Sequence, residues 1–244
     1  MVFRGEMRML GVLANSFAVL FGGVIGMLCG SRIKSKYTDS LMVALGLATM
    51  GMGVASTVGT TDVLCIIVCC SLGTVLGELL HIDDGVNALG RMAERKFGSK
   101  DDKGGSFTSA FVSCSIMFCV GSMAVMGSVE AGLNGDNSIL FAKAVLDLIA
   151  SLAYGAAMGV GVAVSFACVL VVEGALTLLA GALAPLLTDA IVTEMSAVGG
   201  VLLIGLAINL LNLRQQPIKI ANMLPAVFLP AAYVPLYNWI TSLT

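Results

Sequence analysis

Charge is what this chain has least of. Asp, Glu, Lys and Arg make up 11 % of its 244 residues, where a soluble domain carries roughly a quarter, so the soluble classes are excluded. Histidine occurs once, at His81, which excludes a histidine-based metal cluster. No phosphate-binding loop, zinc motif or nucleophile triad is present, so no enzyme chemistry and no cofactor are expected. Net charge is only −2, which gives nucleic acid nothing to bind. Segments of about ten alternating residues, the mark of a membrane β-barrel, are missing. A cleavable leader is not expected either, because Arg4 and Arg8 precede an apolar run that is already long enough to span. The seven cysteines all fall in or beside apolar runs, so they read as small buried hydrophobes with no disulfide or metal framework.

Apolar length is what the chain has in abundance. Hydrophobic residues make up 58 % and the mean hydropathy is +0.98. A bilayer crossing takes about 20 apolar residues, and in lipid the backbone must satisfy itself within a helix. Eight stretches qualify: Leu10–Gly30, Thr38–Val58, Asp62–Ile82, Phe107–Gly127, Ser138–Met158, Val160–Ala184, Thr193–Leu213 and Ile220–Ile240. The expected fold class is therefore all-α, a polytopic helical membrane protein forming one membrane domain over residues 1–244. One hydrophilic loop, 83–106, interrupts the series. Val86, Leu89, Ala93 and Phe97 recur in it at helical spacing, which predicts a short amphipathic surface helix followed by a flexible Lys100–Gly105 stretch.

The basic residues orient the spans. Loops 31–37, 83–106 and 214–219 fall on one side of an eight-span chain. They hold Arg32, Lys34, Lys36, Arg91, Arg95, Lys96, Lys100, Lys103, Arg214 and Lys219. An excess of Lys and Arg marks the cytoplasm. Both termini are then expected outside, with acidic outer loops that carry Glu130 and Asp136, and Asp189 and Glu194.

A weak internal repeat is present, which an eight-span count makes inverted and a seven-span count would make parallel. Gly11, Val12 and Asn15 match Gly161, Val162 and Ser165, and Thr38-Asp39 matches Thr188-Asp189 at the same offset. The copies, 10–82 and 160–240, start on opposite sides, so the three-helix units form an inverted repeat. Such repeats are common in transporters, whose binding sites lie near the midplane. Two small-residue runs, Gly22-x-x-x-Gly26-x-x-x-Gly30 and Gly73-x-x-x-Gly77, allow close helix approach, either within the chain or in a homodimer.

The polar residues inside the spans carry the functional expectation. A charge at the centre of a span costs about 2.5–3.5 kcal/mol on insertion scales, so it persists where a bundle interior or an ion path uses it. Asp147 sits mid-span with Lys143 one turn before it on the same face. Glu173 lies at similar depth in the next span. Asp147 is the expected main ligand for a cation or proton, with Lys143 competing for it when the site is empty. Asn15, Asn209 and Asn222 offer amide oxygens near span depth; helix–helix hydrogen bonds are the plainer use. Glu78 and His81 lie at the cytoplasmic end of the third span. Pro225, Pro230 and Pro235 either kink the last span or break it.

Four strings carry a family signature: Gly127-Ser-Val-Glu130-Ala-Gly-Leu-Asn-Gly-Asp136, Lys143-Ala-Val-Leu-Asp147-Leu-Ile-Ala-Ser151-Leu, Gly199-Gly200 through Gly205-Leu-Ala-Ile-Asn209-Leu-Leu, and Ile220-Ala-Asn222-Met-Leu-Pro225-Ala. Together they resemble the YqgA/YdfK-like bacterial membrane proteins, over nearly the whole chain. The resemblance implies a multi-pass protein of the bacterial inner membrane and favours cation movement. Lys143, Asp147 and Glu130 match the family pattern. Ala144 stands where that pattern often has Ser, and Glu173 where it often has Gln, so the resemblance gives Glu173 no family-wide role.

The expected function is transport of a small monovalent cation, with sodium or proton coupling, through a polar midplane site. Rival readings are transport of a small organic anion paired with Lys143, or a non-transporting scaffold that recruits partners through the 83–106 loop. A Lys143 bridged to Asp147 favours the cation, and a free Lys143 in a cavity favours the anion.

Overall fold

The structure is a computed structural model that describes residues 2–30, 35–97 and 106–242. The proposed Lys100–Gly105 stretch and residues 31–34 lie outside the described residues. The helices are α1 (Val2–Gly30), α2 (Ser35–Val58), α3 (Val63–Leu79), α4 (Ile82–Phe97), α5 (Ser106–Cys119), α6 (Ser122–Asn134), α7 (Ser138–Met158), α8 (Val160–Val164), α9 (Phe166–Leu178), α10 (Ala180–Leu183), α11 (Asp189–Leu210), α12 (Leu224–Phe228) and α13 (Pro230–Thr241). Single 3₁₀ turns occupy Ala184–Leu186 and Ile220–Met223. Among the described residues, five stretches are long and apolar enough to cross a membrane as straight spans, and eight if each of three bent helix pairs is one crossing. The chain is a polytopic helical membrane protein.

Four segments differ from the sequence reading, each for a local reason. The expected helix Phe107–Gly127 is two helices, α5 and α6, bent by 60° at Val120–Gly121 and continuing to Asn134. Gly121 sits at φ +155°, ψ 156°, a conformation that residues with a Cβ avoid. The last span breaks as well, with a 44° bend between α12 and α13. Pro225 and Pro230 occupy first-turn positions of their helices, where the missing N–H leaves nothing unbonded. The expected span Val160–Ala184 is cut into α8, α9 and α10. Finally, α11 begins at Asp189 rather than Thr193, because Thr188 caps it by accepting from the Ile191 N–H at 3.4 Å. That earlier start moves Glu194 from the expected outer loop into a buried helical turn. The amphipathic helix read in the loop is present as α4, lying against α5.

Close contacts fix the directions of the helices. A Cβ on Gly22 or Gly26 of α1 would collide with Leu148 and Leu152 backbone of α7, and one on Gly11 would strike Asn137 and Leu140. The numbers rise together, so α1 and α7 run parallel. Three further close pairs are antiparallel: α1 with α8–α9 (Gly23 on Ala163, Val12 near Gly174), α2 with α11 (Gly46 on Leu211, Thr57 on Gly200), and α3 with the 3₁₀ turn and α12 (Gly73 on Ala226, Gly77 on Asn222). The three helices of residues 10–82 therefore each pack antiparallel on a helix of residues 160–240. The α2–α11 contact is reciprocal: a Cβ on Gly53 would sit 2.7 Å from the Gly200 carbonyl oxygen, and one on Gly200 2.6 Å from that of Gly53. Both small-residue runs are thus filled within the chain, by α7 and by α12, and neither is left as a face for a second copy.

This arrangement puts the start of α1 and the end of α13 on one face of the bundle. Tyr233 of α13 reaches Asp62 at the start of α3 at 3.1 Å. On the outer surface of the spans, Phe17, Phe21, Leu47, Ile67, Ile149 and Val171 are exposed, as a lipid-facing surface requires.

A buried charge cluster as candidate functional site

Three helices bring four of the expected site residues together. Asn15 comes from α1, Lys143 and Asp147 from α7, and Glu173 from α9. The α1–α7 contact along Gly11, Gly22 and Gly26 sets Asn15 beside the charged face of α7, and the antiparallel α9 closes the third side. Lys143 and Asp147 are 7 % and 8 % exposed, and Asn15 and Glu173 are fully buried. Lys143 Nζ forms an ion pair with Asp147 Oδ2 and lies 3.4 Å from Glu173 Oε1. The Asn15 amide nitrogen donates to Glu173 Oε1 at 2.8 Å.

One ammonium faces two carboxyl groups, and it is committed to Asp147, which leaves Glu173 without a counter-charge of its own. Glu173 Oε2 and Asn15 Oδ1 are buried and accept no hydrogen bond. Unpaired acceptors of this kind cost about 1–3 kcal/mol each, more for a charged group, so two at one place call for an explanation. They are what a cation or proton would bind. Cys119, at the break between α5 and α6, lies within electrostatic reach of Lys143, Glu173 and Asp147.

Three expected site residues stand elsewhere. Glu130 is half-exposed on α6 and accepts from Asn134 at 2.6 Å. Asn209 is spent on the 211–219 turn, donating to the Ile218 carbonyl at 2.9 Å and accepting its N–H at 2.8 Å. Asn222 is a clamp: it accepts the Asp83 N–H at 2.7 Å and donates to Glu78, which ties the ends of α3 and α4 to the 3₁₀ turn. These amides serve the helix–helix alternative.

Sequence reading missed Glu194. It is 2 % exposed and accepts from Thr60 Oγ1 at 2.6 Å and from the Thr61 N–H and hydroxyl at 2.8 Å. Those bonds fasten the α2–α3 turn to α11. The cue was the Thr60-Thr61-Asp62 triplet, a donor-rich turn of the kind a buried carboxylate satisfies.

Two cavities open at opposite faces. One, of about 520 Å³, lies among α4, α5, α11 and the 217–221 strand of chain, and its lining runs along α5 from Thr108 to Ile116, about one turn short of Cys119. Lys219 on its rim pairs with Glu78 at 3.0 Å, which holds its ammonium above the usual lysine range. The other, of about 280 Å³, is lined by Thr61, Asp62, Glu194, Tyr233 and Asn238. The charge cluster lines neither of these two cavities.

Comparison with known proteins places the chain in context. The family model described as "Protein of unknown function (DUF554)" matches residues 10–235. The uncharacterized protein YqgA of Escherichia coli (strain K12) is 30 % identical over 222 residues, covering 90 % of this chain and 94 % of that protein. The uncharacterized membrane protein YdfK of Bacillus subtilis (strain 168) is 27 % identical over 230 residues, covering 93 % and 96 %. No solved structure matches.

Proposed function

The chain belongs to the DUF554 family of proteins of unknown function, and from its buried cluster we propose that it moves a small monovalent cation across the membrane. One observation carries this reading: a fully buried carboxylate, Glu173, in a net negative cluster and with an oxygen that has no protein partner. The ligand role passes from Asp147 to Glu173, since Lys143 already neutralises Asp147. Lys143 and Asp147 position the site. The anion reading loses its support, because Lys143 is engaged by two carboxylates.

The test is flux of sodium, lithium, potassium and protons into liposomes that hold the purified protein. The wild type is expected to pass at least one of them, and Glu173→Gln to lose that flux while remaining folded. Unchanged flux in Glu173→Gln sinks the assignment.

The orientation belongs to the same proposal. The face where α1 ends and α2 begins carries the basic loops, so it is the cytoplasmic face, of the inner membrane in a bacterial host. Reporter fusions after Thr244 are expected to be active on the extracytoplasmic side; activity only in the cytoplasm reverses the orientation.

A further inference from the structure

Hydroxyl groups inside apolar helices ordinarily bond back to their own helix. Thr49, Thr57, Thr74 and Ser165 do so here, on the carbonyls of Leu45, Gly53, Cys70 and Val162 at 2.6–2.8 Å. Ser128 and Thr177 do not. Each is buried, at 0 % and 3 % exposure, and neither hydroxyl has a hydrogen-bond partner. The other buried orphans are the acceptors of Asn15 and Glu173 and the hydroxyls of Ser16 and Ser115.

Packing puts Ser128 and Thr177 on faces that meet beside Glu173. α6 packs on α1, α7 and α9. A Cβ on Gly132 would lie 2.2 Å from the Thr177 carbonyl oxygen, so this face of α6 meets α9. Ser128 lies one turn before Gly132 on the same face of α6. Thr177 is one turn beyond Glu173 on the same face of α9. α1, α6 and α9 all pack on one another, so Asn15 completes the ring.

We infer that Ser128 and Thr177 are ligands which, with Glu173 and Asn15, form an oxygen site for a desolvated hard monovalent metal cation and set its selectivity. The inference rests on the cation reading above and specifies what that site binds. A proton needs one oxygen and leaves three orphans; a metal ion uses all four, since hydroxyl, amide and carboxylate oxygens replace a hydration shell together. A single unpaired carboxylate balances one positive charge, and a divalent ion would leave an uncompensated charge in a low dielectric. Ser16 and Ser115 are left out: Ser16 follows Asn15 directly and so points about a quarter-turn away, and Ser115 is on α5.

The experiment uses the full chain, purified in detergent and melted in sodium, lithium, potassium or choline chloride at equal ionic strength, with flux measured in liposomes. The wild type is expected to be stabilised by a small alkali cation over choline. Ser128→Ala and Thr177→Val each raise the concentration for half-maximal stabilisation roughly tenfold, the scale of about 1.4 kcal/mol, and change the preference among the three cations. Thr177→Ser keeps the hydroxyl and behaves as wild type. In choline, Ser128→Ala and Thr177→Val melt at or above the wild type, because each removes an unsatisfied buried group. Wild-type cation responses in both variants, with Glu173→Gln unresponsive, overturn the hydroxyl ligands and leave the Glu173 reading standing. Variants that melt lower in choline show that the hydroxyls hold the fold instead, which also overturns the inference. A wild type that responds to none of the three cations and passes none of them removes both readings.

Discussion

Lys143→Met is expected to remove most of the folded protein from the membrane. The ammonium faces Asp147 and Glu173, and all three side chains are nearly or fully buried. Its loss leaves two like charges in a low dielectric with no counter-charge. Removing one partner of a buried pair costs about 3–5 kcal/mol, a large part of a stability that is commonly about 5–15 kcal/mol. The companion change restores balance: Lys143→Met with Asp147→Asn removes one charge of each sign, so the formal net charge of the cluster is that of the wild type. Recovery of the monodisperse species by size-exclusion chromatography separates the cases. The single variant should be depleted and the double variant recovered. Equal recovery of single variant and wild type would mean that the carboxylates are protonated or that water reaches them.

The second large effect is steric. Gly26→Ala places a Cβ 2.1 Å from the Leu152 carbonyl oxygen and 2.9 Å from the Ala156 nitrogen, both backbone atoms that cannot turn aside. α1 and α7 must separate, at a cost on the order of 1–3 kcal/mol. Because α1 carries Asn15 and α7 carries Lys143 and Asp147, separation also loosens the cluster, so flux should fall with the melting temperature. Gly51→Ala is the control. Nothing lies within 4 Å of its Cβ position, and replacing a mid-helix glycine gains about 0.5–1 kcal/mol. A melt in which the two variants behave alike contradicts the α1–α7 contact.

Much of the fold was legible because lipid leaves the chain little choice. The apolar crossings, five straight and up to eight with the bent pairs, follow from apolar length, α4 follows from 3.6-residue periodicity, and α7 matches its expected bounds, Ser138–Met158, at both ends. The breaks were harder to read. Val120–Gly121 interrupts a run that stays apolar on both sides, so hydropathy is blind to it, and only the backbone conformation of Gly121 marks it. At the candidate site, charge inside a span singled out Lys143, Asp147 and Glu173, since such charge is costly, and the three side chains meet in the bundle. The amides misled, because an asparagine that closes a turn, as Asn209 does, cannot be told by spacing from one facing an ion. Ser128 and Thr177 carried no cue at all; hydroxyls are ordinary in membrane helices, and what distinguishes these two is the partner they lack.

α11 has a consequence for biogenesis. In this helix 72 % of the apolar window is buried, against 17–44 % in the other straight spans, and it touches α2, α3, α5, α6, α12 and α13. It follows six of the eight expected crossings in the chain. The six crossings' worth of chain made before it must therefore wait in the bilayer around an unfilled groove, with the Gly53 face of α2 open to lipid. Arrival of Asp189–Leu210 closes that groove, seats Glu194 against Thr60 and Thr61, and converts a loose set of inserted helices into one packed body. Nascent chains that end before Asp189 should thus be inserted, protease-sensitive and recognised by membrane quality control, whereas those that reach past Leu210 acquire resistance in a single step.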